Sequence, residues 1–158
     1  MVRTMGPHMK HHHGAASELD VASILLRLGC EVFTSSFGFS EVDLVALTPS
    51  GATARIQVKS ASTDGRSKGR VKISTARQDC LGGKSVPYTR VDFFVACRAG
   101  MYWVFPASEC MSTKKRCGAD SPFLNAWHLI MIMGLVESKA STGLSLVQAE
   151  PVAVAVRM

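Results

Sequence analysis

The sequence predicts a single α/β domain, on three observations. One helix-period segment lies near the N-terminus, two pairs of strand-like runs follow, each joined by a short turn, and no stretch is apolar for long enough to cross a bilayer. With 158 residues and 47% apolar side chains, the chain can bury one core of its own. The expected organisation is a tag-like or disordered segment over 1–13, one domain over 14–135, and a tail over 136–158 in which no pattern stands out.

The first segment, Gly6-Pro7-His8-Met9 with His11, His12 and His13, has the composition of a tag scar and is set aside from the fold. From Ala15 to Leu28 there is no Gly or Pro, and Leu19, Ala22, Leu25 or Leu26, and Leu28 recur at helical spacing, so an amphipathic helix is expected, ended by Gly29. Cys30 to Thr34 reads as a short strand and Ser35 to Glu41 as a polar loop. Asp43 to Leu47 and Ala54 to Ala61 read as a hairpin around Thr48-Pro49-Ser50-Gly51, with Pro49 at the first corner and Gly51 in the left-handed position. With Thr48 facing Ala52, counting outward sets Asp43 opposite Gln57. The period of two then puts Arg55, Gln57 and Lys59 on one face and Ile56 and Val58 on the other.

Beyond it, Ser62 to Arg70 reads as a mobile basic loop and Val71 to Ser74 as a further strand. Val91 to Cys97 and Met101 to Phe105 read as a second hairpin, joined by Arg98-Ala99-Gly100 and closed by Pro106. Ser121-Pro122 can start a helix running through Trp127 towards Met133. The longest apolar run, Leu129 to Val136, is interrupted by Gly134 and falls far short of the roughly 20 residues a spanning helix needs.

Asp43, Gln57 and Lys59 on one strand face make a polar group suited to phosphodiester hydrolysis. That reaction needs a hard cation, for which carboxylate and amide oxygens are natural ligands. An ammonium two residues beyond Gln57 can orient water or stabilise the transition state. Glu18 is aligned with Val21, Ala22 and Leu25 on the helix, so its carboxylate is expected to reach the same edge of the sheet.

Ser17-Glu18, Glu41-Val42-Asp43-Leu44-Val45, Ile56-Gln57-Val58-Lys59 and Val91-Asp92-Phe93-Phe94-Val95 with its hairpin together resemble the PD-(D/E)XK nucleases, most closely their intron-encoded homing-endonuclease branch, over about residues 14–106. The resemblance implies a restriction-endonuclease-like αβββαβ core, a mixed central sheet flanked by helices, and Mg2+-dependent cutting of double-stranded DNA, with Mn2+ as a substitute. It implies Glu18, Asp43, Gln57 and Lys59 as catalytic residues, and Asp43, Gln57, the Val58 backbone carbonyl and Glu18 as metal ligands. Val42 stands where the name-giving Pro would be. Gln57 replaces the second acidic residue, as in the Gln-x-Lys form of the homing branch, and removes one negative charge from the site.

Lys and Arg outnumber Asp and Glu by 18 to 12, and the resulting field attracts polyanions. Arg55, Arg66, Lys68, Arg70 and Lys72 are the candidate DNA contacts, and Lys114-Lys115-Arg116 reads as a solvated loop. Five cysteines without a CxxC pair argue against a disulfide framework and a zinc knuckle, and for a reducing, cytoplasmic setting. Gly82-Gly83-Lys84-Ser85 lacks the earlier Gly of a phosphate-binding loop, Gln78 standing there instead, and Asp92 and His128 read as structural. Cutting both strands needs two sites, so a homodimer or tetramer is expected. The alternatives are a junction-resolving nuclease that reads DNA shape, and a non-catalytic DNA-binding module on the same fold.

Overall fold

In the computed structural model the described residues are 7–35, 40–65, 69–78, 83–110 and 112–133. Helix α1 (Pro7–Arg27) is followed by strands β1 (Glu31–Thr34), β2 (Leu44–Leu47), β3 (Thr53–Ser60), β4 (Ser62–Thr63), β5 (Val71–Ser74), β6 (Ala76–Gln78), β7 (Ser85–Pro87), β8 (Phe93–Arg98), β9 (Met101–Pro106) and β10 (Lys114–Cys117), and then by the short helix α2 (His128–Met131). A mixed five-stranded sheet runs β1-β2-β3-β8-β9. All its neighbours are antiparallel except β3 and β8. A second sheet runs β10-β5-β4, and β6 pairs with β7 alone. The mixed sheet and flanking helices match the expected class. In the crossover from β3 to its parallel neighbour β8, however, the described residues build strands β4 to β7, and α2 follows β9.

Residues 7–13, set aside as tag-like, belong to the first two turns of α1, because nothing in that stretch breaks a helix once it leads into a strong one. The C-terminus of α1 ends as expected. Gly29 has φ +87°, and the Cys30 N–H reaches back to the Leu25 carbonyl at 3.0 Å. Val21, Ala22 and Leu25 pack on Leu44, Ala46, Ala54, Ile56 and Val58, and Ile130 of α2 joins the same core. Each Val, Leu or Ile side chain among these, when fully buried, contributes about 1.5–3 kcal/mol. On the other face of the sheet Phe94, Ala96, Trp103 and Phe105 pack against Val71, Ile73 and Cys117 of the second sheet.

The first hairpin has the predicted register: Leu47 pairs with Thr53 and Leu44 with Ile56, around Gly51 at φ +84°. The second turns more tightly than expected, since Arg98 pairs with Met101 and only Ala99 and Gly100 lie between them, both at positive φ. Three segments read as loop or helix are strand-like instead. Ser62 and Thr63 pair with β5, so the stretch read as a mobile loop begins as a strand, while Arg66 and Lys68 lie outside the described residues. Lys114 to Cys117 pair with β5 as well, and Lys115 stands 5.4 Å over the Phe105 and Phe123 rings rather than in solvent. The helix expected from Ser121 starts only at His128. The Phe123 carbonyl accepts from Val104 and the Asn125 N–H donates to Tyr102, so this backbone is spent on the edge of β9, and Asn125 turns left-handed at φ 51°.

Candidate active site

The site forms where β2 stops before β3 does. Pairing between them ends at Leu44 and Ile56, although β3 continues to Ser60. One step further the Asp43 side chain takes over from the ladder, its Oδ2 accepting the Val58 N–H at 2.8 Å and the Gln57 side-chain N–H. The carboxylate is thereby fixed against β3 by one backbone donor that strand pairing would otherwise have used and by one side-chain amide.

Gln57 is 95% buried, and its Nε2 lies between Asp43 Oδ2 and the Val58 carbonyl oxygen, the latter at 3.3 Å. Its Oε1 is buried without a hydrogen-bond partner. The two ends of a carboxamide exchange by a half-turn. That half-turn brings three oxygens together, from a carboxylate, an amide and a peptide carbonyl, which is a donor set suited to a hard divalent cation. No group of three His, Cys, Asp or Glu side chains occurs among the described residues, so the amide and peptide oxygens are needed to complete such a set. The residues present fit a Mg2+-sized ion.

Lys59, two residues on, is half-buried, and its Nζ donates to the Tyr88 hydroxyl at 2.7 Å while lying 4.8 Å from that ring's centre. Tyr88 is held in turn by an edge contact with Phe94, 5.5 Å between ring centres. Glu18 comes from the other side of the sheet. The Ser17 and Ser60 hydroxyls, 3.1 Å apart, tie α1 to the part of β3 that runs beyond β2, and Glu18, next to Ser17, feels the charges of Asp43 and Lys59. Burial pushes the Glu18 carboxyl up from its usual range, the Asp43 carboxylate pushes it further, and the Lys59 ammonium partly offsets both. Asp43 is also raised, because burial outweighs the Val58 N–H, Lys59 and Gln57. Two acids with raised pKa values around one ammonium form an arrangement that a cation would relieve.

Glu18, Asp43, Gln57, the Val58 carbonyl and Lys59 are therefore brought together. Arg55, a candidate DNA contact, is held by Asp92: Nε and Nη2 donate to the two Asp92 oxygens at 3.0 and 2.7 Å, and its N–H donates to the same carboxylate at 2.8 Å. Lys72 lies on β5 of the second sheet, with Arg70 immediately before that strand, so neither is in the cluster. Tyr88 escaped sequence reasoning, since nothing in the spacing after Pro87 ties it to a lysine 29 residues earlier. Glu41, passed over as a loop residue, accepts the N–H groups of Thr89 and Arg90 at 3.1 and 3.2 Å and pairs with Arg77 at 2.9 Å. The Thr89 N–H is the chief reason its carboxyl lies below the usual range.

Two cavities flank this end of the sheet. One of about 630 Å³ is lined by Ser17, Ser60, Cys97, Arg98 and Tyr102 but by none of Asp43, Gln57 and Lys59. The other, of about 520 Å³, borders the site through Val42 and Arg55.

No family model and no curated protein sequence matches this chain. Its fold is similar to the solved structure of a bacterial homing endonuclease, I-Ssp6803I, with a TM-score of 0.64 and 20% identity over 80% of this chain and 94% of that one. No helix among the described residues is long and apolar enough to cross a membrane.

Proposed function

We propose that this chain is a metal-dependent endonuclease that hydrolyses phosphodiester bonds in double-stranded DNA, with Glu18, Asp43, Gln57 and Lys59 as its catalytic group. The observation that carries the reading is the convergence of Asp43 Oδ2, the Gln57 amide and the Val58 carbonyl beside the Lys59 ammonium. The likeness of fold to a homing endonuclease supports it, as does the PD-(D/E)XK resemblance of the Glu-x-Asp and Gln-x-Lys segments.

Asp43, Gln57 and the Val58 carbonyl would hold Mg2+ or Mn2+, with Glu18 adding charge directly or through water. A bound divalent cation supplies charge neutralisation at the phosphate and a more acidic water. Lys59, steadied by Tyr88, donates to the phosphate oxygen on which charge builds, in a half-buried setting where such a contact counts for more than in water. One chain carries one such group, so cutting both strands calls for a dimer or a larger homo-oligomer. A homing role is the form of this reading that the structural neighbour, a bacterial homing endonuclease, suggests.

One observation favours a second reading, a DNA-binding module without catalysis. Gln57 leaves Asp43 as the lone carboxylate on the strands of the cluster, which weakens cation binding. A single experiment separates the two: purified protein is incubated with Mg2+ or Mn2+ and supercoiled, linear or branched duplex DNA. Nicked and linear products are expected from the wild type and none from Lys59→Ala, whose duplex affinity should stay within about threefold because one phosphate contact among many is lost. DNA that is bound but never cut in either metal would establish the second reading instead.

A further inference from the structure

The 520 Å³ cavity beside Asp43 gathers three guanidinium groups, Arg55, Arg77 and Arg90, at its walls. Glu41 lines the cavity with them, Asp92 pairs with Arg55 beside it, and both carboxylates are already engaged. Asp92 accepts three hydrogen bonds from Arg55, and Glu41 accepts from Thr89 and Arg90 N–H groups and from Arg77. Three positive charges against two negative leave the cavity with a surplus, and Arg90 has no carboxylate partner among the described residues. A guanidinium carries five donors, so Arg77, which gives one nitrogen to Glu41, keeps others to offer.

The carboxylates serve this wall by fixing its arginines. Glu41 holds Arg77 by charge and the loop that bears Arg90 by backbone bonds, so the side chains need little ordering when an anion arrives. The position also matters. Val42 joins the cavity to Asp43, Arg55 stands two residues, about 7 Å along a strand, from Gln57, and Thr89 and Arg90 directly follow the Tyr88 that steadies Lys59.

We propose that this cavity binds a backbone phosphate of duplex DNA next to the one being cut, with Arg77 and Arg90 as its contacts and Glu41 as a positioning carboxylate. The inference rests on the nuclease reading for its choice of anion. It accounts for a polar hollow with a positive surplus that folding alone does not require. Docking one phosphate here would fix the register of the duplex so that its neighbour meets Asp43, Gln57 and Lys59, which is the service that phosphate contacts perform for base-independent positioning.

The test measures binding apart from cleavage. A fluorescent duplex is titrated in EDTA over a range of salt with the wild type, Arg90→Ser, Arg90→Lys and the double variant Arg77→Ser/Arg90→Ser, each checked for an unchanged melting temperature. The double variant should bind about ten- to a hundredfold more weakly, with a log–log salt slope flatter by about one. Arg90→Ser should show part of that loss, and Arg90→Lys should keep the slope. A folded double variant with wild-type affinity and slope, from a protein that still cuts DNA, would overturn this site and leave the nuclease reading standing. If the wild type never cuts DNA but its salt slope depends on Arg77 and Arg90, the phosphate site stands and the catalytic reading falls. A wild type that binds no duplex at any salt would overturn the site.

Discussion

Gln57 is the residue on which the proposed chemistry turns, and its surroundings make that proposed role separable from its contribution to stability. Because Oε1 is buried without a partner, Gln57→Leu removes an unsatisfied acceptor together with the donor to Asp43, and the folded state should lose at most about 1 kcal/mol. Cleavage should nevertheless fall below detection, since Leu offers no oxygen to a cation. Gln57→Glu should cut DNA at lower Mg2+ than the wild type while melting earlier in EDTA, because it sets a second carboxylate beside Asp43. Activity assays paired with circular dichroism check both, and a well-folded, fully active Gln57→Leu protein would remove the amide from the ligand set. Tyr88 acts through Lys59. Tyr88→Phe keeps the ring contact with Phe94 but loses the 2.7 Å bond, so kcat should fall about tenfold with KM and duplex affinity unchanged, and a KM effect alone would deny it this positioning role. The four catalytic candidates were legible because residue types with one chemistry fell at spacings that strands and helices convert into proximity. Tyr88 was not, since its contact depends on how a crossover returns to the sheet.

At the scale of elements, the register of the β2 and β3 hairpin was readable to the residue, although the strand bounds shift by one. Pro49 and Gly51 dictate a turn whose register places Asp43 against Gln57, and the body and C-terminal end of α1, though not its start at Pro7, were readable from its period and from Gly29. What escaped was governed by tertiary pairing. Lys114 to Cys117 look like a solvated basic run until β5 offers them a partner, and the segment after Ser121 has a helix start signal but gives its backbone to β9. Asp92 illustrates how such pairing is set. Its N–H donates to the Arg55 carbonyl at 2.8 Å and its carboxylate accepts the Arg55 N–H and guanidinium, so one side chain fixes the start of the parallel β3 and β8 ladder. Asp92→Ala should therefore cost about 1–2 kcal/mol, drawn mainly from the backbone bond because the exposed Arg55 pair is screened by solvent. For a domain of this size that is a fall in Tm of about 2–8 °C. A melting curve unchanged by the substitution would show that the ladder registers without it.

For the whole molecule, the proposed cation site has a consequence for stability, because the fold raises the pKa values of its two carboxyl groups. Asp43 and Glu18 both have folded pKa values raised above those of the unfolded chain, chiefly by burial. The native state then holds protons more tightly, so each group's contribution to stability falls as pH rises from its unfolded value through its folded one, and above the folded values the metal-free protein carries two ionised acids in an unfavourable setting. Asp43→Asn removes one of them. In EDTA at neutral pH it should melt higher than the wild type, by about 2–4 °C if the gain is about 1 kcal/mol, and the difference should shrink as pH falls below the folded pKa of Asp43. Mg2+ should reverse the order. A cation that binds only the folded state at a hundred times its Kd stabilises by about 2.7 kcal/mol, so the wild-type Tm should climb by about 5–10 °C while that of Asp43→Asn stays nearly fixed. The same raised values predict that Mg2+ affinity and cleavage decline together on acidification at a pH above the ordinary carboxylate range, since protons and the cation compete for the same oxygens. Calorimetric scans of both proteins across pH, with and without Mg2+, test the linkage in full. Equal Mg2+ shifts in wild type and Asp43→Asn would place the cation elsewhere on the molecule and dissolve the link between this buried carboxylate and catalysis.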